Sequence, residues 1–236
     1  MSFTGQTVLV TGASRGIGAF LTKRFRAAGA CVAAGARSLA AADHGAAGFD
    51  MAVDVTDEAA LRRFVRAAHG RHGRLDVLIN NAGAASMNPA LLTPTDALRA
   101  AAELNYIAAF AATREAAKLM RRRQYGRVVN LTTIAVPLRL EGELAYAASK
   151  AALETATRVL ARELAPLGIT CNLVGPSPVD TDLIRGVPEG KMRALLDRLP
   201  LRSKAELDDV AYAVECFARP EAGQLTGQVL YLGGVG

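Results

Sequence analysis

Short apolar runs alternate with amphipathic helical stretches from one end of this chain to the other, and that alternation leaves few architectures open. Thr7 to Thr11 is an apolar run that ends at a glycine. From Gly16 to Ala28, apolar groups recur at Ile17, Phe20, Leu21 and Phe25, the spacing of one helix face, and Gly29 closes the helix. The strand signal returns at Cys31 to Ala36, Asp50 to Val55, Leu75 to Asn80, Gly126 to Thr132, Ile169 to Val174 and Gln228 to Leu232. Helical patterns open at Thr56 or Asp57 and fill Thr95 to Gln124, 143 to 167 and, as two short pieces, 188 to 218. The Ala/Gly-rich stretch Ser38 to Gly48 has room only for an abbreviated helix. Strands joined by helices of ten or more residues make right-handed crossovers. The reading is therefore an α/β fold, a doubly wound parallel sheet of about seven strands with helices on both faces. No repeat and no linker-like segment divides the 236 residues, so 1–236 reads as a single domain.

Composition removes several classes of function. The chain is 51% hydrophobic and 21% charged, which excludes a disordered polymer. No apolar run reaches the ~18 residues of a membrane span. The segment Met1 to Gln6 lacks the basic-then-apolar order of a signal peptide, so the expectation is a cytoplasmic protein with no membrane partner. Cys31, Cys171 and Cys216 are odd in number and form no CxxC pair, which excludes a disulfide framework or zinc ribbon. Of the three histidines His44, His69 and His72, the last two lie in an Arg-rich stretch with no patterned nucleophile or carboxylate. A Ser–His hydrolase and a metal site are therefore not expected. The excess of 28 basic over 22 acidic residues, +6, is scattered apart from Arg121-Arg122-Arg123, and aromatics are only 5%. Solvated helix faces account for it better than nucleic acid does, while attraction of an anionic substrate or carrier stays open.

In a sheet of this kind ligands bind beyond the carboxyl ends of the strands. After the first strand stands Thr11-Gly12-Ala13-Ser14-Arg15-Gly16-Ile17-Gly18, a glycine loop running into a helix N-terminus. Free N–H groups and the helix dipole suit a phosphate there, as in Rossmann-type dinucleotide sites. The second strand ends in Gly35-Ala36-Arg37-Ser38, with no carboxylate to hold a ribose diol. Arg37, with Arg15 on the other side, points instead to a 2′-phosphate and thus to NADP(H). Asp54 is placed to accept from an adenine amino group or, in a purely structural role, to cap a helix. Asn80-Asn81-Ala82-Gly83 closes the fourth strand with small residues where a flat cofactor can approach the backbone.

Tyr146 and Lys150 stand at i and i+4 on one helix face. A phenol near pKa 10 is a poor acid–base group at neutral pH, and a neighbouring ammonium lowers that value. The glycine loop, Asn80 to Gly83, a hydroxyl residue at Thr133 and Tyr146 with Lys150 occur in that order. The chain thereby resembles the short-chain dehydrogenase/reductase family in its compact single-domain form, over essentially its whole length.

The resemblance implies the following roles. Thr11, Gly12, Gly16 and Gly18 meet the family's phosphate loop, and Asp54, followed by Val55, takes the adenine position. Ser14, Arg15, Ile17, Asn81, Ala82, Gly83 and Pro176 complete the cofactor contacts. Asn105 holds a water in a proton relay. Tyr146 is the acid/base, and Lys150 tunes it and binds the nicotinamide ribose. Val179 and Thr181, in Pro176-Ser177-Pro178-Val179-Asp180-Thr181, hold the carboxamide. Two positions depart from the pattern. Thr133 replaces a serine, keeping the hydroxyl but adding a stiffening methyl, and Ser177 replaces a glycine.

The implied activity is NADPH-dependent reduction of a ketone, either a 3-oxoacyl thioester on acyl carrier protein or a free small molecule. The two carrier-docking arginines of the carrier-dependent branch fall on Gln124 and Leu167, neither of them basic, with Arg121 to Arg123 and Arg127 near the first. Residues 182–199 are the expected substrate lid, with Leu183, Ile184 and Val187 on its apolar side. A homo-oligomer, tetramer or dimer, is implied through 101–124, 143–167 and the last strand. The alternative is a cofactor-binding regulatory protein with little turnover. Thr133 and Ser177 motivate it, and the intact Asn105, Tyr146 and Lys150 argue against it.

Overall fold

The structure, a computed structural model, describes residues 2–235. Its strands are β1 (Thr7–Thr11), β2 (Cys31–Ala36), β3 (Ala42–Asp43), β4 (Gly48–Ala52), β5 (Val77–Asn80), β6 (Gly126–Leu131), β7 (Ile169–Gly175) and β8 (Val229–Tyr231). They form one sheet in the order β3-β4-β2-β1-β5-β6-β7-β8. Seven strands are parallel, as the alternation predicts, and β3 is a two-residue antiparallel addition at the edge. That edge corrects the reading of Ser38 to Gly48. Instead of an abbreviated helix, the stretch holds β3 and a single 3₁₀ turn at Gly45–Ala47, because Gly45 and Gly48 take positive φ and break any helical run.

The helices are α1 (Gly16–Ala27), α2 (Glu58–His72), α3 (Thr95–Ala102), α4 (Ala108–Met120), α5 (Ala135–Leu138), α6 (Leu144–Leu164), α7 (Glu189–Leu196) and α8 (Leu207–Ala218). Asp57 caps α2, its carboxylate accepting the N–H groups of Ala59 and Ala60. Both faces of the sheet are covered, so consecutive strand residues serve different cores. Val8 and Val10 pack with Phe25, Val210 and Val214, whereas Leu9 packs with Phe64, Leu78 and Met120. Among the described residues no helix is long and apolar enough to cross a membrane.

Strand order reverses between β1 and β5. The chain runs outward from β1 to β2 and β4, then returns to the far side of β1 with β5. The loops leaving β1 and β5 therefore part in opposite directions and open a crevice at their carboxyl ends. The glycine loop and Asn80 to Gly83 flank it.

Candidate active site

The two loops of the crevice are tied by Thr11. Its Oγ1 accepts the backbone N–H of Asn81 and of Ala82, each at 3.1 Å. The Asn81 amide donates back to Thr11 O and Gly12 O at 3.0 Å. Asn81, expected to meet a cofactor, thus has its amide engaged in the scaffold. Gly12 is required twice over: its φ is +67°, and a Cβ there would stand 2.7 Å from Ala82 Cα. Gly12→Ala is expected to destabilise the chain by about 1–3 kcal/mol, read as a lowered melting temperature. Gly18 lets α1 pack on the glycine loop, since a Cβ on it would stand 2.2 Å from Gly12 O.

Helix α1 begins with no side-chain cap and no acidic residue in its first turn, so its N-terminal donors stay open to an anion. Gly16, with φ +53°, faces Thr181, whose Cγ2 would lie 3.3 Å from an added Cβ. Ser14 and Arg15 are exposed. Arg15 does not lean toward Arg37. Its guanidinium pairs with Asp182 at 3.3 Å, and Asp182 also holds Arg185 at 2.5 Å. Arg37 is exposed just past β2, while Val53 N–H donates to Ala36 O and brings Asp54 and Val55 beside it. Asp54 accepts from the Thr56 N–H at 3.0 Å and from its hydroxyl at 2.7 Å. Those bonds, with a smaller contribution from the Arg37 charge, hold its carboxyl below the usual range. Helix capping in this loop falls to Asp57 instead.

At the other end of the crevice, α6 places Tyr146 and Lys150 one turn apart, both buried. Lys150 Nζ donates to Leu131 O at 2.7 Å, the terminal carbonyl of β6, and no carboxylate accompanies it. Burial pushes its pKa down to about 8. Burial also pushes the Tyr146 phenol up to about 12; the adjacent Thr133 hydroxyl works against that rise and the Glu143 carboxylate adds to it. Desolvation dominates both groups, and the ammonium is turned to a carbonyl rather than to the phenol. Thr133 Oγ1 accepts the Ala135 N–H at 3.1 Å, and its own proton is placed to donate toward the Tyr146 oxygen or to an oxygen bound beside it.

Asn105 sits in a π-helical turn, Glu103–Ile107, between α3 and α4. Its Oδ1 accepts the Ala84 N–H at 3.0 Å, and its Nδ2 donates to Ala84 O and to Ser149 Oγ, at 3.0 and 3.1 Å. The Ser149 hydroxyl in turn donates to Tyr146 O at 2.8 Å. The side chain of Asn105 therefore fixes the Gly83–Ala84 turn against α6.

Tyr146 and Lys150 open into a cavity of about 630 Å³ also lined by Ile17, Asn81, Gly83, Thr133, Pro176, Val179 and Thr181. Its outer wall comes from 182–199, including Leu183, Ile184 and Val187. Gly12, Asn105, Arg37 and Asp54 lie outside it, along the crevice or behind it. Ser177 is buried and avoids positive φ, and the room for its Cβ comes from Gly233, a glycine at φ +88° packed against it. Glu143, Met87, Leu140, Lys191 and Arg198 also line the cavity and carry no sequence motif. Arg127 leaves the group of cations open to a carrier: it is buried and donates to the carbonyls of Arg219 and Pro220.

A doubly wound sheet with an anion-ready helix terminus at the crevice, and a phenol and ammonium beside an apolar cavity, defines an oxidoreductase of the dinucleotide-binding class. The family model described as enoyl-(acyl carrier protein) reductase matches residues 12–234. The chain is 32% identical over 239 residues to the 3-oxoacyl-[acyl-carrier-protein] reductase FabG of Salmonella typhimurium, covering 99% of this chain and 98% of that protein. It is 34% identical to the 2,3-dihydroxy-2,3-dihydro-p-cumate dehydrogenase of Pseudomonas putida, covering 98% and 93%. A solved short chain dehydrogenase/reductase family protein superposes with a TM-score of 0.87 at 32% identity, covering 99% and 98%. The chain belongs to the short-chain dehydrogenase/reductase family.

Proposed function

We propose that this chain reduces a ketone to a secondary alcohol with NADPH, the ketone being a free small molecule or a 3-oxoacyl thioester on acyl carrier protein. The observation that carries the reading is Tyr146: a buried phenol, protonated across the neutral range, opening into an apolar cavity beside the Thr133 hydroxyl. The residues present fit a nicotinamide dinucleotide. The uncapped terminus of α1 suits its phosphates, and Lys150, a buried ammonium with one protein acceptor, suits ribose hydroxyls.

When bound, the nicotinamide supplies hydride to the carbonyl carbon. Tyr146 gives its proton to the carbonyl oxygen as charge builds there, and Thr133 donates a hydrogen bond to the same oxygen. The Lys150 charge favours the phenolate left behind. Leu131, Ile134, Leu183, Ile184 and Val187 exclude water and so strengthen each of these interactions. The 182–199 segment acts as the lid, held to the glycine loop by the Arg15–Asp182 pair.

The names of the FabG relatives support the carbonyl reading, and Arg37 with no carboxylate at the end of β2 supports NADPH over NADH. Arg37→Asp is expected to shift the preference toward NADH by about tenfold or more in kcat/KM, since one charge-assisted phosphate contact becomes a repulsion. An unchanged ratio means that Arg37 does not touch the 2′-phosphate. The assignment itself is tested by NADPH consumption with a panel of ketones, quinones, 3-oxoacyl and 2-enoyl thioesters. Turnover of the enoyl thioester alone, or of nothing, overturns it.

The exposed apolar residues Ile107, Phe110, Leu144, Val159 and Leu230 lie on or beside α4, α6 and β8, the elements the family resemblance assigns to subunit contacts. A homotetramer or dimer is the corresponding proposal, checked by light scattering of the purified chain.

A further inference from the structure

Glu143 is the cavity residue that the proposed chemistry leaves unused. It occupies the N-cap position of α6 yet makes no capping bond with its side chain. It lines the cavity with Thr133, Tyr146 and Leu183. Burial pushes its carboxyl up, and no cation or donor opposes the push. The other charged or titratable groups around the cavity are Glu141 on the same loop, Tyr146 and Lys150 on α6, Lys191 on α7 and Arg198 just beyond it. Arg198 is committed to Leu138 O at 2.8 Å. Among the described residues Glu143 therefore faces an apolar cavity with its acceptor capacity unfilled. Its charge is near enough to Tyr146 to hold the phenol proton more tightly.

A carboxylate in that position discriminates between substrates. An acyl chain with no donor would cover it and remove its remaining water without replacing the lost hydrogen bonds. A substrate anion placed there would be repelled. A hydroxyl or an ammonium would meet it in a charge-assisted bond. Glu143 and Tyr146 line the same cavity and the charge of one acts on the other, so a group held by Glu143 lies close to the carbon that Tyr146 serves.

We infer that Glu143 sets the substrate class of this site: ketones that carry a hydroxyl or amino donor within one or two carbons of the carbonyl that is reduced. The inference rests on the carbonyl-reductase reading. It is tested with NADPH, the wild-type chain, Glu143→Gln and Glu143→Leu, and three matched ketones: an α-hydroxy ketone, an α-amino ketone and the parent without a donor. The wild type is expected to prefer the donor-bearing ketones by roughly tenfold to a hundredfold in kcat/KM, mostly through KM. In Glu143→Leu both preferences fall to about one. In Glu143→Gln the amide oxygen still accepts, so the hydroxy ketone keeps part of its advantage and the amino ketone loses its own. A wild-type ratio near one, or a ratio unchanged across the variants, overturns the inference and leaves carbonyl reduction standing. Equal loss on all three substrates with the ratio preserved is damage to the fold and also overturns it. A wild type that reduces none of the three, nor any ketone of the wider panel, overturns the carbonyl-reductase reading itself.

Discussion

Tyr146→Phe is expected to lower kcat for ketone reduction by about 10²- to 10⁴-fold, the range that one positioned proton donor contributes. The ring and its packing are retained, so the loss isolates the hydroxyl. Thr133 remains as a hydrogen-bond donor to the carbonyl oxygen and leaves residual turnover, because a hydrogen bond stabilises the growing charge without delivering a proton. NADPH affinity, followed by fluorescence titration, should be nearly unchanged, since the phosphate loop and Lys150 are untouched. The pH profile sharpens the expectation. Burial raises the Tyr146 phenol to about 12, so it stays protonated as pH rises through the working range and gives the reductive reaction no alkaline limb of its own. A limb near pH 8 instead belongs to Lys150, whose charge is lost there. Unchanged turnover in the Phe variant would sink the assignment of the proton donor.

The parts of this site that could be read in advance are those fixed by local chemistry. Gly12 and Gly18 stand at a strand–helix junction where only hydrogen fits, and spacing alone locates them. Tyr146 and Lys150 share a helix face because any residues four apart do. Spacing does not report burial. The phenol and the ammonium are neighbours whose pKa values are dominated by desolvation, and that follows only from the packing of α6 on the sheet. Asn105 shows the same limit: the family resemblance assigns it a relay, whereas its bonds to Ala84 and Ser149, partners far from it in sequence, become visible only in the fold. Glu143 was illegible for a further reason. Its meaning depends on Leu183, Lys191 and Arg198, which the chain delivers to the same cavity some 40 to 55 residues later.

Lys150→Met is expected to separate activity from stability. Removing the ammonium should lower kcat/KM by about 10²- to 10³-fold, the cost of losing one preorganised charge or donor at a reacting centre. Its stability should depart from that of the wild type in a pH-dependent way. The folded pKa of Lys150, about 8, lies below its ordinary value of 10.5, so between these limits the unfolded chain binds more protons and wild-type stability rises with pH. Below about pH 8 the folded chain carries the full desolvation penalty; by pH 10.5 the penalty is relieved, a change of about 3 kcal/mol over 2.5 units. Methionine has no such titration. Relative to the wild type, the variant should therefore be more stable at pH 7 than at pH 10 by about that amount. The acceptor left without a donor at Leu131 O offsets both conditions alike and cancels in the comparison. Urea titrations of both proteins across this range measure the difference. Two curves that run parallel would mean that Lys150 is not a desolvated ammonium in the folded chain. Curves that converge as pH rises would mean that this fold holds a charge where it costs stability, next to the one phenol that needs it.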